Sequence, residues 1–304
     1  QSTFAKILEK SISIQLTNHL ERNNLISNNQ FGFQTGKSTE HNLLSVINYI
    51  SSAINDDNYV LGVFIDLKKA FDVCSHDILI SKLYHLGIRG RALDWFRSYL
   101  SNRSQKVDIN GILSDCLFID DISVFQGSIL GPILFLIYIN DLPLSTNLFS
   151  ALFADDTQAL AKGKNLTELF NFVNRELEKL ALWFRANKMK VNVGKTRFIV
   201  FSKRSINVEL GNLKVLYNDN EPGGTDENLI FEIERIYSNH PDVNKRYYKS
   251  LGILLDDHLS FNTHFNSLHK KLSRSIFIMN KLKHFLPLRI LKSIYYSTFH
   301  CHLT

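Results

Sequence analysis

Cysteine is scarce in this chain: three in 304 residues, Cys74, Cys116 and Cys301, far apart and without a C-x-x-C pair. That excludes a disulfide framework and a zinc ribbon, and it favours a reducing compartment. Long apolar runs are also missing. The longest, "ILGPILFLIYI", is interrupted by Gly131 and Pro132 and falls short of the roughly 18 residues that a membrane span needs. There is no signal-peptide pattern, internal repeat or low-complexity stretch. The histidines lack metal-ligand spacing, and "HCH" at 300–302 reads as helix rather than a zinc site. The first residue is not Met, and both ends run in helical periodicity. The chain is therefore expected to be cut from a longer polypeptide.

What is present is ordinary globular material, 44% hydrophobic and 21% charged, enough for two or three subdomains. The formal charge of +6 is unevenly spread. From Lys245 onward stand Lys245, Arg246, Lys249, Lys270, Lys271, Arg274, Lys281, Lys283, Arg289 and Lys292, opposed only by Asp256 and Asp257. A basic helical region suits a phosphate backbone, though a solvated helix face gives the same pattern.

Phe4, Ile7, Leu8, Ile12, Leu16 and Leu20 recur at helical spacing, so the pattern predicts a helix over 4–22. A second helix is expected over 39–55, with Thr39 as its N-cap. "YVLGVFIDL" reads as a buried strand ending at Asp66. Helices from Ser75 and Arg89 precede a hairpin, "QKVDINGILSDCLFIDDISV", and Gly131–Pro132 opens another helix. "LFSALFA" and "TQALA" form an antiparallel pair around Asp155 and Asp156. A long helix over 165–186, the strand "TRFIVFS", an acidic surface insertion at 206–245 and two helices parted near Pro287 complete the chain. This is a mixed α+β architecture.

Three features carry chemistry. Two apolar strands each end in acid, Asp66 on one and the pair Asp155–Asp156 on the other. A lone Asp there is an ordinary turn residue. Three carboxylates at one sheet edge would repel each other and cost desolvation, a conflict that hard divalent cations remove. Two such ions about 3.5–4 Å apart serve polymerase chemistry. "FQGSILGP" offers a cradle in Gln126, Gly127 and a helix start. Lys195, ahead of a strand, is either an exposed charge or a partner for a departing pyrophosphate. "GFQTGKST" is one residue too short for a Walker A loop and no strand precedes it, which speaks against a nucleotide-hydrolysing P-loop and leaves open a Gly-rich, Lys-bearing loop that touches a triphosphate in another way.

The ordered set "FAKILEK", "NNQFGFQTGKSTEHNLL", "FIDLKKAFD", "QGSILGPILFLIYINDL", "LFADDT", "NKMKVNVGKT", "YKSLGILLD" and "LKSIYYSTFHCHL" resembles the reverse transcriptases of non-LTR (LINE-type) retrotransposons, the jockey-like group in particular. The resemblance implies a right-hand polymerase with an antiparallel palm sheet flanked by helices. Its parts would be fingers over 1–58, palm over 59–74, a connecting part over 75–125, palm over 126–258 and a partial thumb over 259–304. It implies Asp66 and Asp155 as ligands of Mg²⁺ (or Mn²⁺), aided by the Leu67 backbone carbonyl, with Asp156 as supporting acid. Phe71 would exclude a ribose 2′-hydroxyl. Lys37, Gln126 and Gly127 would line the nucleotide pocket, and Lys195 would sit near the pyrophosphate.

Leu251, Gly252 and Asp256 match the primer grip. Lys270, Lys271, Arg274, Lys281 and Lys283 would hold the duplex backbone. The implied partners are an RNA template, a DNA primer, dNTPs and an upstream endonuclease domain, with nucleus and cytoplasm as the place of action. The pattern departs from the family at Gln34 and Lys37, where Arg is usual, at Phe125 in place of Pro, and at Ser75, which is expected to cap its helix instead of Asp. A catalytically inactive remnant that binds RNA, a maturase and an RNA-dependent RNA polymerase are the rival readings; Phe71 speaks against the last.

Overall fold

The computed structural model describes residues 3–119, 122–125, 127–203, 206, 213–217 and 229–303. Two compact units divide between Glu234 and Arg235.

In the first unit, α1 (Thr3–Arg22) and α2 (Thr39–Asn55) precede β1 (Tyr59–Ile65), α3 (His76–His85) and α4 (Arg91–Leu100). The apolar stripe of α1 is only half used. Leu16 and Leu20 are buried, whereas Phe4, Ile7 and Leu8 face solvent. Two N-cap expectations are corrected. Thr39 is already helical and Ser38 caps α2, its hydroxyl accepting the His41 N–H at 3.4 Å. Ser75 precedes α3 but its hydroxyl makes no capping bond.

The expected hairpin after α4 is two short ribbons: β2 (Arg103–Gln105) with β5 (Leu117–Ile119), and β3 (Asp108–Ile109) with β4 (Ile112–Leu113). Next come α5 (Gly131–Ile139), β6 (Phe149–Phe153), β7 (Asp156–Gly163), α6 (Leu166–Ala186) and β8 (Arg197–Phe201). An outlying ribbon of β9 (Lys214–Tyr217) and β10 (Leu229–Glu232) falls in the expected insertion, much of which lies outside the described residues.

The strand order β8-β1-β7-β6 puts β1 in the middle, antiparallel to both neighbours. This explains its unbroken apolar sequence: Val60, Leu61, Val63, Phe64 and Ile65 are all buried, and both α2 and α6 pack on it. Gly62 keeps the strand clear for its neighbour, since a Cβ there would stand 3.2 Å from the Phe201 ring. Beside the sheet, α5 is apolar on every face and almost wholly buried.

The second unit contains the end of β11 (Glu234–Ile236), a hairpin of β12 (Tyr248–Ser250) and β13 (Ile253–Leu255), then α7 (Asn262–Leu282) and α8 (Leu288–Thr298). The hairpin thus groups with the terminal helices. Residues 300–302 form a single turn of 3₁₀ helix.

Candidate active site

The acids sit at one end of the sheet rather than along its edge. The β1–β7 register pairs Ile65 with Thr157, so its next step sets Asp66 opposite Asp156. The β6–β7 ladder pairs Phe153 with Asp156, which leaves Ala154 and Asp155 as the hairpin turn. Ala154 is left-handed, with φ 54°, as mirror-image hairpin turns require at their first central residue. The pleat therefore delivers all three acids to the end where the chain leaves the core.

The three carboxyls feel each other. Burial first, and then the neighbouring charges of Asp155 and Asp66, together push the Asp156 carboxyl up to about 6. One side of Asp156 is still open to solvent. Among the described residues, no group of three His, Cys, Asp or Glu side chains already converges with metal-ligand spacing. The donor set nonetheless fits a hard divalent cation: oxygens only, like-charged, at a partly wet strand end.

Asp66 is held on one flank. Its Oδ2 accepts the Asn192 side-chain amide at 2.8 Å, and its backbone carbonyl accepts the Asn192 N–H at 2.7 Å. Its own N–H reaches the Thr196 hydroxyl at 3.3 Å, and that hydroxyl donates to the Asn192 carbonyl at 2.9 Å. Lys195 projects from the same turn, largely exposed, its Nζ 4.0 Å from Asp66 Oδ2. Lys68 N–H bonds the Lys190 carbonyl at 2.7 Å, so Leu67 and Val191 form the bridge whose own backbone groups point outward. The Leu67 carbonyl therefore faces away from 190–192, on the side of the Asp155 hairpin. Sequence reasoning missed Asn192 and Thr196, although both lie inside the quoted "NKMKVNVGKT".

Phe71 is half-buried, its ring stacked on Phe135 at 4.4 Å and edge-on to Phe33. Gln126 lies outside the described residues. Gly127 is exposed with φ 84°, and a Cβ there would meet nothing within 4 Å. Behind it, Ser128 Oγ accepts the Gly131 N–H at 2.9 Å at the start of α5. The buried Glu9 accepts the Ile129 N–H at 2.9 Å and the Tyr99 hydroxyl at 3.2 Å. Phe125, at the position where the family has Pro, packs edge-on to Tyr99 and under the Arg103 guanidinium.

Lys37 does not project freely. Its Nζ donates to the Gln30 carbonyl at 2.7 Å and the Asn28 carbonyl at 3.1 Å, and burial lowers its pKa. Gln34 Nε2 donates to the same Gln30 carbonyl at 2.7 Å.

The residues expected to form a primer grip, Leu251, Gly252 and Asp256, belong to the second unit. Leu251 and Gly252 form the two-residue turn of the β12–β13 hairpin, with φ 45° and 95°. Asp256 is buried, and its carboxylate accepts from the Ser260 hydroxyl and the His258 and Ser260 N–H groups. It shapes the chain after the hairpin. Lys270, Lys271, Arg274 and Lys281 are exposed on α7, and Lys283 just beyond it.

A family model described as reverse transcriptase (RNA-dependent DNA polymerase) matches residues 1–254. The chain belongs to the reverse transcriptase family. Among similar curated proteins are a probable RNA-directed DNA polymerase from transposon BS of Drosophila melanogaster, 28% identical, and the RNA-directed DNA polymerase from mobile element jockey of the same fly, 26% identical. They match 97% and 96% of this chain, which spans only 31% of either relative's length. A solved telomerase from Candida tropicalis, lacking its C-terminal domain, aligns at TM-score 0.46 and 14% identity over 67% of this chain and 42% of that one. Among the described residues, no helix is long and apolar enough to cross a membrane.

Proposed function

We propose that the chain is the polymerase part of a non-LTR retrotransposon reverse transcriptase, extending a DNA primer on an RNA template from dNTPs. The observation that carries this reading is the meeting of Asp66, Asp155 and Asp156 at one end of the sheet in a chain of this family. In this reading the sheet is the palm, residues 1–58 are fingers, 75–125 connect fingers and palm, and 259–304 begin the thumb.

Asp66, Asp155, the Leu67 carbonyl and Asp156 would hold Mg²⁺, with Mn²⁺ as a substitute. Bound divalent ions supply activation of the primer 3′-hydroxyl and neutralisation of charge on the α-phosphate and the leaving pyrophosphate. The chain's own part is positional. Asn192 fixes the Asp66 carboxylate and Thr196 its backbone N–H, Phe71 backed by Phe135 walls off the sugar, and exposed Lys195 meets pyrophosphate charge. Gln126 and Gly127 border the nucleotide, Leu251 and Gly252 the primer end, and the α7 cations the duplex backbone. An endonuclease domain elsewhere in the polypeptide, and action in cytoplasm and nucleus, follow from the same reading.

A second reading has one observation behind it. Lys37 and Gln34 are both spent on the Gln30 carbonyl, which weakens the fingers' hold on a triphosphate and suits an inactive RNA-binding remnant. Primer extension on RNA with dNTPs and Mg²⁺ separates the two. The polymerase extends, and Asp155→Asn does not. Salt-sensitive RNA binding without incorporation by the parent would establish the remnant, and equal extension by both proteins would overturn the role given to the acids.

A further inference from the structure

We propose that Gln30 is a positioning residue of the acid site, its side chain holding the Ala154 turn in the geometry from which Asp155 and Asp156 project. The proposal rests on the reading of these acids as cation ligands. It begins with a segment the sequence marks only as a loop. Residues 29–31 run alongside β6: the Leu152 N–H donates to the Asn29 carbonyl and the Phe31 N–H to the Leu152 carbonyl, each at 2.8 Å. Gln30 itself forms a parallel bridge with Leu152 and is 1% exposed.

From there the side chain reaches forward to the turn. Gln30 Oε1 accepts the Gly32 N–H at 2.7 Å and the Ala154 N–H at 3.1 Å, the second across 124 positions of sequence. Ala154 needs that partner. Its φ of 54° is disfavoured for any residue with a Cβ, and it lacks the short polar side chain with which Asn or Asp steadies this conformation locally. A buried N–H without an acceptor would add a further penalty. Gly32 makes the approach possible, because a Cβ there would lie 2.4 Å from the Ala154 nitrogen.

The other half of the amide shows what the residue is kept for. Gln30 Nε2 is buried without a hydrogen-bond partner. A side chain present only to fill space would avoid that cost by being apolar. The oxygen, with its two backbone bonds, is therefore the functional end. The Gln30 carbonyl also receives Lys37 and Gln34, so one residue ties the Lys37 loop to the acid-bearing turn.

Gln30→Met keeps the length of the side chain and removes the acceptor; Gly32→Ala puts a Cβ against the Ala154 nitrogen. Three readouts are taken on each. Without metal, amide exchange at 152–157 is expected to accelerate about tenfold while α6 is unchanged, since a lost bond opens the turn locally. Affinity for Mn²⁺ alone is expected to fall about 10-fold, the low end for residues that orient metal ligands. In extension, kcat is expected to drop about 10–100-fold with the dNTP KM held within about twofold. Unchanged exchange and Mn²⁺ affinity in both variants would overturn the proposal even if the parent were inactive, and so would a rise in KM alone. Asp155→Asn run in parallel separates the two levels. If it extends like the parent, the polymerase reading fails; if it is dead while Gln30→Met is fully active, only the role of Gln30 falls.

Discussion

The sheet and the two terminal helices solve opposite problems. β1 buries six of its seven residues, whereas α7 buries only Ser275 and α8 buries none. Every acid proposed for chemistry stands where a buried strand ends, so its backbone is fixed by a ladder of hydrogen bonds and a packed core. The cations proposed for the nucleic-acid backbone stand on the open surface of α7 or, for Lys283, just past its end. Lys270, Arg274, Phe277 and Lys281 share one side of α7 at helical spacing, away from the half-buried Leu268, Leu272 and Met279. Chemistry that tolerates little misplacement is placed on rigid elements, and contact with a repeating phosphate backbone is not.

The sharpest way to break that contrast is to alter one acid and then the buried strand that carries it. Asp66→Asn keeps the side chain's shape and its place beside Asn192 yet removes a charge. Extension is expected to fall by about 10³-fold, the loss of several kcal/mol of charge stabilisation. Leu61→Ala attacks the support instead. Leu61 is fully buried in the central strand, and its truncation is expected to cost about 2–5 kcal/mol in denaturant melts.

Asp156 gives the contrast a pH dependence. Its carboxyl, pushed up to about 6 from the ordinary 3.8, binds a proton more readily folded than unfolded. Its contribution is therefore most favourable below about 4, is lost as pH rises through about 6, and then stays constant. Without divalent ions, Asp156→Asn is expected to melt at the parent's temperature at pH 4 and above it at pH 7.5. The advantage should grow between those limits and shrink when Mg²⁺ is added. A constant difference across the range would show that neither burial nor the charges of Asp155 and Asp66 raise the Asp156 carboxyl.

How far the sequence disclosed this arrangement follows the same division. The acid-ended strands, the long helix and the break near Pro287 were legible because periodicity and turn chemistry are local. Thr39 against Ser38 was a one-residue ambiguity that only a hydrogen bond resolves. Gln30 and Asn192 were illegible for a different reason. Their partners lie 124 and 126 positions away, and no window of sequence brings an amide to a distant turn. Asp256 was legible as a motif residue, but not as a buried acceptor that closes its own turn.

On the helices the expected effects are smaller and of another kind. Replacing Lys270, Lys271 and Arg274 by Gln should leave the melting temperature unchanged. RNA–DNA duplex binding should lose about one unit of salt slope for each phosphate contact removed, uniformly across sequences. An unchanged slope would make this side of α7 a solvated surface and nothing more.

The smallest expected effect tests the comparison from below. Phe285, between α7 and α8, is 81% exposed, and Phe277 on α7 is 63% exposed. Phe285→Ser should change the stability of this chain by no more than about 0.5 kcal/mol, because little apolar area returns to water. A loss of about 2 kcal/mol or more would mean that the ring is buried in solution. The helices would then have a core of their own, and their cations would be as firmly placed as the acids of the sheet.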